Sequence, residues 1–361
     1  MPLIGVAAFA LAFATTFRAS AHPASVLLPK KSLAEKIDEN TDVVLARPTR
    51  LEDPQFRITA TLKSGNSIER GLVVDATLSK DPEAPEAIDD LLTSLLLTRK
   101  SHSDGWVVQS PAGLHLTPFF RKVVGLPKGY SDSDELYRER LRFFLPLVAH
   151  PDTRIANSAV AAIGRAPYAT VRLLEGDLDQ GKLRAFISDP KQAGWRSLQY
   201  TLLGIGGNEA DAAFLRESID ALWQNNDSTD LAAILVAYIE LAGPQAADHI
   251  VEAYVKDRDR TFAEIKQALT ALAMQGDERD PLPREQVIEA FGWLVENRVP
   301  LAYLVVPDYA RWEHWEIMPE LAELARTRGF QLPYIRNRVR SYLEACPLPS
   351  ARLHLEGLSS L

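Results

Sequence analysis

The sequence has almost no cysteine, since its 361 residues include only Cys346. A single thiol excludes an internal disulfide, a zinc site built from cysteines and a CxxCH haem attachment. Cys346 also continues a stripe of Ile335, Val339 and Tyr342 at helical spacing. We therefore expect this thiol to pack in a core, where an apolar environment keeps it unreactive.

Basic residues are also fewer than acidic ones. The chain has 40 Lys and Arg against 48 Asp and Glu, which gives a formal net charge of −8. This balance, without a dense basic run, argues against nucleic acid or an anionic membrane surface as the main partner. The contents of 46% hydrophobic and 24% charged residues are typical of a soluble globular protein.

Recognisable catalytic motifs are missing as well. The sequence contains no G-x-S-x-G, H-E-x-x-H, P-loop or Rossmann fingerprint. The glycine-rich stretch 204–207 follows no strand pattern and precedes no Lys-Ser/Thr, so it favours a turn between two helices. The acidic stretch 175–181 lacks the turn glycine and the bidentate glutamate of a calcium loop. The sequence therefore predicts no catalytic residue, no cofactor and no metal site.

The histidines leave two alternatives to that prediction. His249 with Glu252, and His314 with Glu313 and Glu316, could form two-ligand corners of a metal site, although such pairs on helices are ordinarily solvated surface residues. His22 becomes the free N-terminus if the chain is cleaved before it. Its amine and imidazole could then chelate copper.

The N-terminal segment has the features of an export signal. Residues 3–17 are apolar but too few for a transmembrane helix of ~20 residues, and Ala-Ser-Ala at 19–21 matches a signal-peptidase site. We expect a signal peptide at 1–21, an N-terminal extension at 22–31, and a periplasmic or secreted protein without a membrane span. The first residues lack Lys and Arg, so an uncleaved anchor or a misassigned start codon are the alternatives.

Residues 32–125 have the pattern of a small β-rich domain. In 55–62 the apolar residues Phe56, Ile58, Ala60 and Leu62 alternate with polar ones, which predicts a half-buried strand. Four or five such strands predict a small antiparallel barrel or sheet. Residues 42–47 (Asp-Val-Val-Leu-Ala-Arg), with a strand ending in Thr-Leu-Lys-Ser-Gly, resemble the opening of OB-like netrin-type modules.

After a linker at 126–133, residues 134–345 have the pattern of tandem amphipathic helices. Pro151 ends one helix and Asp152 caps the next, in which small alanines allow close helix packing. This segment resembles the second-helix motif of HEAT-like (armadillo-type) repeats. The resemblance implies an α-solenoid with hairpins ~30–40 residues apart, followed by a C-terminal tail at 346–361.

The predicted fold is thus α+β and mainly α, with a HEAT-like solenoid after the small β-domain. Solenoids present binding surfaces, so we expect a non-catalytic scaffold that docks another exported protein. The best candidates for partner contacts are Tyr309, Arg311 and Trp312, residue types enriched at interface hot spots. The alternative is an enzyme, lyase-like, with a site between the β-domain and the helices.

Overall fold

The computed structural model describes residues 31–51, 55–81, 84–113, 115–128, 134–225, 227–278, 280–326 and 332–359. The fold is α+β, with a five-stranded sheet N-terminal to an array of helices, so the predicted class is confirmed. The chain forms two compact units, one ending at Ala290 and the other beginning at Phe291.

The sheet is mixed, and its strand pairing closes on itself. The strands are β1 (Asp42–Pro48), β2 (Gln55–Lys63), β3 (Val73–Leu78), β4 (Leu95–Arg99) and β5 (Trp106–Pro111). They pair in the order β1-β2-β3-β5-β4, and β4 pairs again with β1. All pairs are antiparallel except β3 with β5, so the prediction of an antiparallel sheet is wrong there. The reason is topological: directions cannot alternate around a closed ring of five strands, so at least one neighbouring pair must be parallel.

Alternating side chains build the core of this sheet. In β2, Phe56 and Ile58 are buried while Arg57 between them is exposed, which confirms the predicted alternation over these residues, whereas Thr59, Ala60 and Leu62 are all half-buried. Residues from four of the strands form the buried cluster, namely Val44, Ala46, Phe56, Ile58, Leu95, Leu97, Trp106 and Val108. Each large side chain buried in this way contributes about 1.5–3 kcal/mol.

Sixteen α-helices lie in the described residues. Helix α1 (Leu33–Glu39) precedes the sheet and α2 (Leu116–Val124) follows it. The next nine are α3 (Asp134–Phe144), α4 (Thr153–Gly164), α5 (Tyr168–Arg172), α6 (Gln180–Ser188), α7 (Arg196–Gly206), α8 (Glu209–Asn225), α9 (Leu231–Ala242), α10 (Pro244–Ile250) and α11 (Phe262–Glu278). The last five are α12 (Arg284–Asn297), α13 (Val306–Arg311), α14 (Met318–Leu324), α15 (Pro333–Ala345) and α16 (Pro349–Ser359).

Helix α1 connects the sheet to the helical array. It begins with a capping box: Ser32 N donates to Glu35 Oε2 at 2.8 Å, and Glu35 N donates to Ser32 Oγ at 3.4 Å. Helix α1 packs on α4 and α2, and Asp38 accepts a hydrogen bond from Arg140 of α3 at 2.5 Å. The β-strands and the helices up to Ala290 therefore belong to one compact unit.

Helices α7 and α9 approach each other closely because of a glycine. A Cβ placed on Gly204 would lie 2.5 Å from the Cα of Ala237, so no larger residue fits without moving a backbone. Gly204 lies inside α7 and not in a turn, which corrects the expectation from the glycine pattern. The chain leaves the helix at Gly207.

In the second unit, Cys346 is buried, as predicted, with its Sγ 3.8 Å from the sulfur of Met318. Residues 346–361 were expected to form a C-terminal tail. Their described part instead contains α16, which packs on α15. Arg336 fixes this pair by donating to the carbonyl of Leu358 at 2.7 Å.

Several predictions fall on residues that are not described. The signal peptide at 1–21, the extension up to residue 30 and the copper site at His22 lie outside the described residues, as do residues 129–133 of the linker. Among the described helices, none has the length and apolar character needed to cross a membrane.

Candidate functional site

A groove of about 470 Å³ lies in the helical part of the first unit. It is bordered by the 3₁₀ turn Leu145–Leu147 after α3, by α6 with the residues before it, and by α7. Its apolar wall consists of Leu145, Val148, Leu178, Leu183, Phe186 and Leu202. The volume falls within the roughly 300–1,000 Å³ that is typical of ligand pockets.

Local sequence explains why the chain opens at this place. Pro146 occupies the first turn of the 3₁₀ segment and has no N–H to donate, so α3 ends at Phe144 and continues as a tighter 3₁₀ turn. On the other side, Asp179 caps α6 by accepting from the backbone N–H of Lys182 at 3.1 Å. These two interruptions separate α3 from α6 and leave the groove between them.

One polar side chain interrupts the apolar wall. Gln199 is 4% exposed and lines the groove together with Leu202, three residues further along the same face of α7. Within the described residues its carboxamide has no hydrogen-bond partner. Its amide atoms are not among the fully buried, unpartnered polar atoms, so they remain accessible to water in the groove. An occupant that displaces this water must bond to the amide itself or incur a cost of about 1–3 kcal/mol.

The charges at the rim of the groove are paired with each other. Asp177 accepts from Arg142 Nε at 2.7 Å and from Arg138 Nη2 at 3.3 Å. The hydrogen bond and the charge of Arg142 lower the pKa of Asp177. Lys182 Nζ lies 3.3 Å from Asp179 Oδ2. Each charged residue lining the groove thus has a partner of opposite sign.

A second cavity, of about 590 Å³, is lined by Pro111 at the end of β5, by residues 84–85 and by the start of α4, and its lining residue Asp152 pairs with a histidine. Asp152 accepts from Arg154 Nε at 3.0 Å and Nη2 at 2.7 Å, and His115 Nε2 lies 2.7 Å from its Oδ2. The hydrogen bonds from Arg154, with that of His115, hold the pKa of Asp152 well below its usual range. Arg154 also donates to the carbonyl of Pro111 at 3.3 Å.

The cluster of His115, Asp152 and Arg154 stabilises the contact between neighbouring strands and helices. Asp152 also caps α4 by accepting from the backbone of Arg154, as the sequence predicts. Its carboxylate is occupied on both oxygens and held ionised, which makes it a poor proton acceptor. The pair therefore ties the end of β5 and the start of α2 to the N-terminus of α4.

A buried polar network braces three helices of the same unit. Glu240 of α9 accepts from Tyr168 at 3.1 Å, from Arg172 Nε at 2.7 Å and from Gln275 at 3.1 Å. Burial raises the pKa of the Tyr168 hydroxyl well above its ordinary value. No sequence motif predicts this network. The one charged residue in the apolar run 231–242, Glu240, does indicate a buried polar contact.

An exposed tryptophan that no sequence pattern marks is fixed in place. The Arg260 guanidinium lies 3.2 Å from the ring centroid of Trp223, and that ring is 6.0 Å from Tyr254 in a T-shaped arrangement. Arg260 is itself held by Glu264 at 3.0 Å. Trp223 remains 39% exposed, so this part of the surface carries the kind of rigid aromatic group that we sought at 309–312.

The three predicted contact residues are placed differently from that expectation. Tyr309 is fully buried and Trp312 is 9% exposed, with its ring stacked 5.6 Å from that of Phe291. Arg311 is paired with Asp308 at 2.8 Å. The expected exposure of both rings is corrected, because Phe291 of α12 covers one side of them. We assign no docking site to these residues.

Metal ligands do not converge in the described residues, where no group of three His, Cys, Asp or Glu side chains could hold an ion. His314 Nδ1 lies 3.5 Å from Glu316 Oε2, an ordinary pair. The groove beside Gln199 is therefore the strongest candidate for a binding site.

Comparisons with known proteins do not assign a family to this chain. No protein-family model matches it, and neither curated proteins nor solved structures show significant similarity to it. The function must be argued from the geometry.

Proposed function

We propose that this protein is a non-catalytic docking module that holds a segment of another exported polypeptide in the groove between α3, α6 and α7. The observation that carries the proposal is the unpartnered amide of Gln199 in an otherwise apolar wall. An occupant is stabilised when it covers the apolar surface of the groove and replaces the water at this amide with a hydrogen bond of its own. The paired rim and the apolar wall supply binding surface and no reactive group.

We infer that the two parts of the chain are an OB-like module and a HEAT-like array. The strand order β1-β2-β3-β5-β4, closed through a parallel β3–β5 pair, supports the OB-like interpretation. The α3–α4 hairpin, broken at Pro151 and capped by Asp152, supports the HEAT-like interpretation. Arrays of this type use rows of helices to hold other proteins, which fits the proposed docking role.

We propose further that the chain is exported and cleaved before His22, because the apolar stretch 3–17 precedes a signal-peptidase pattern. Mass spectrometry of the protein isolated from its native host should find His22 as the first residue. An intact Met1 in the isolated protein would contradict this proposal.

The enzyme alternative requires a free acid or base between the β-strands and the helices. His115 and Asp152 meet there, but Arg154 already occupies both oxygens of the carboxylate, and among the described residues lining the adjoining cavity Asp152 is the only carboxylate and no histidine is present. The docking role is therefore the better supported of the two.

A selection experiment tests the docking proposal. A random-peptide library displayed on phage is selected on the purified full chain, and enriched peptides are synthesised and titrated by isothermal calorimetry. Ala149 is exposed and lines the groove, so Ala149→Trp should fill it without disturbing the core. We expect selected peptides that bind the parent with micromolar dissociation constants. Their affinity should fall about tenfold or more in this variant, since the tryptophan occupies their site.

Ala221→Trp is the matched control, because Ala221 is an exposed helical alanine that does not line the groove. This variant should bind the selected peptides as the parent does. A selection that yields no peptide, or peptides that Ala149→Trp and the parent bind equally, would remove the groove as the docking site.

A further inference from the structure

We infer that Gln199 recognises the backbone of the docked segment, so that the groove selects an uncharged, extended stretch of polypeptide carrying a large apolar side chain. This inference rests on the proposed docking function and adds the chemistry of the occupant. Three features of the groove support it: the hydrogen-bonding capacity of Gln199, the apolar wall and the charge balance of the rim.

The hydrogen-bonding capacity of Gln199 matches that of a peptide group. A carboxamide offers an acceptor oxygen and a donor NH₂, and an extended residue offers a backbone N–H donor and a C=O acceptor. Two hydrogen bonds can therefore form between Gln199 and one residue of a docked chain. A lipid acyl chain has neither group and would leave the buried amide without a partner, which carries a penalty.

The wall next to Gln199 provides the second feature. Leu202 is fully buried and Leu183 is 7% exposed, and Phe186 and Leu145 line the same groove. An apolar side chain entering beside the amide would be removed from water by these residues, which stabilises the complex. A sugar could bond to Gln199 but would bring hydroxyl groups against this wall, where they would lose their hydration.

The rim provides the charge complementarity. Its four lining charges, on Arg142, Asp177, Asp179 and Lys182, comprise two of each sign, and each has a partner within the protein. A charged side chain of either sign would find no unpaired counter-charge and would have to compete with an existing ion pair. The complementary segment is therefore uncharged at the position that enters the groove.

The test uses short capped peptides with the ¹⁵N-labelled full chain. The probes are N-acetyl-Ala-Leu-Ala-amide, the same compound with Asp in place of Leu, and an ester analogue in which the leucine N–H is replaced by oxygen. The side-chain NH₂ signal of Gln199 is assigned by its disappearance in Gln199→Met, a variant of similar length without hydrogen-bonding groups. Binding is followed by NMR titration of this signal and of the groove backbone.

We expect the leucine peptide to shift the Gln199 NH₂ signal and to bind about five- to tenfold more tightly than the ester, which lacks one donor. In Gln199→Met the peptide and the ester should bind equally. The aspartate peptide should bind more weakly than the leucine peptide. If Gln199→Met does not fold, the comparison of amide with ester on the parent still decides the question.

Three results would overturn the inference: equal binding of peptide and ester by the parent, equal binding of the aspartate peptide, or shifts in the groove without a shift of Gln199. If these appear while selected peptides remain blocked by Ala149→Trp, the docking function stands and the role of Gln199 falls. If no peptide binds in either experiment, both fall together.

Discussion

Replacing Gly204 by alanine tests how tightly the helical array is packed. In an unconstrained helix this change stabilises by about 1 kcal/mol, because alanine has the higher helix propensity. Here the new Cβ would lie 2.5 Å from the Cα of Ala237 and 2.7 Å from its Cβ. Real contacts are not this short, so α7 and α9 must move apart, and overpacking of this kind costs about 1–3 kcal/mol.

The upper part of that range applies, because the nearest atom belongs to the backbone of α9 and not to a flexible side chain. After subtraction of the propensity gain, we expect Gly204→Ala to lower the free energy of unfolding by roughly 2 kcal/mol. For a unit of this size the loss corresponds to a fall of about 4–8 °C in the transition temperature. Thermal unfolding followed by circular dichroism measures it.

Gly292→Ala is the control, because Gly292 lies within α12 and has no atom within 4 Å of the position of its new Cβ. This variant should gain about 0.5–1 kcal/mol. Adding Ala237→Gly to Gly204→Ala should restore only part of the stability, since the nearer Cα remains. If Gly204→Ala is as stable as the parent or more stable, the two helices separate freely, and our account of their close approach is refuted.

Two further predictions concern buried polar groups. Tyr309 has a buried hydroxyl with no hydrogen-bond partner in the described structure. Tyr309→Phe should therefore leave the free energy of unfolding unchanged or raise it by up to about 1 kcal/mol. A decrease of more than about 1 kcal/mol in urea denaturation would show that the hydroxyl has a partner. Asp152 has a lowered pKa, so its stabilisation is present above its unfolded pKa near 4 and is lost as the pH falls toward the folded value. Asp152→Asn should therefore cost roughly 2 kcal/mol at pH 6 and about half as much at pH 2.5, which lies between the unfolded and folded pKa values, and a difference independent of pH would contradict the charged pair.

Features that depend on neighbouring residues in the chain could be predicted from the sequence. The cap at Asp152 is confirmed, because it is a hydrogen bond to a backbone N–H only two residues away. The capping boxes of Ser32 with Glu35 and of Thr261 with Glu264 are local in the same way. The alternation in β2 and the burial of Cys346 are confirmed for the same reason: periodicity shows which side of an element is apolar.

Features that depend on distant partners could not be predicted. The spacing of Tyr309 and Trp312 indicates a shared face, but only the folded chain shows that Phe291 covers it. Likewise, Gln199 is an unremarkable polar residue in a helical sequence until α6 and the end of α3 enclose it. The parallel β3–β5 pair follows from the closure of the sheet, which no local pattern encodes.

Strand β3 has a consequence for the solubility of the protein. Its first half, Val73–Asp75, pairs with β2, and its second half, Ala76–Leu78, pairs with β5. These six residues thus join β2 to β5 and close the sheet. As a result, each of the five described strands has a neighbouring strand on both sides. Exposed strand edges are templates for aggregation, so this short strand protects the edges of β2 and β5 from intermolecular pairing. A proline within Ala76–Leu78 would remove a ladder donor and expose the facing edges of β3 and β5. A single local substitution would therefore promote aggregation of the whole protein.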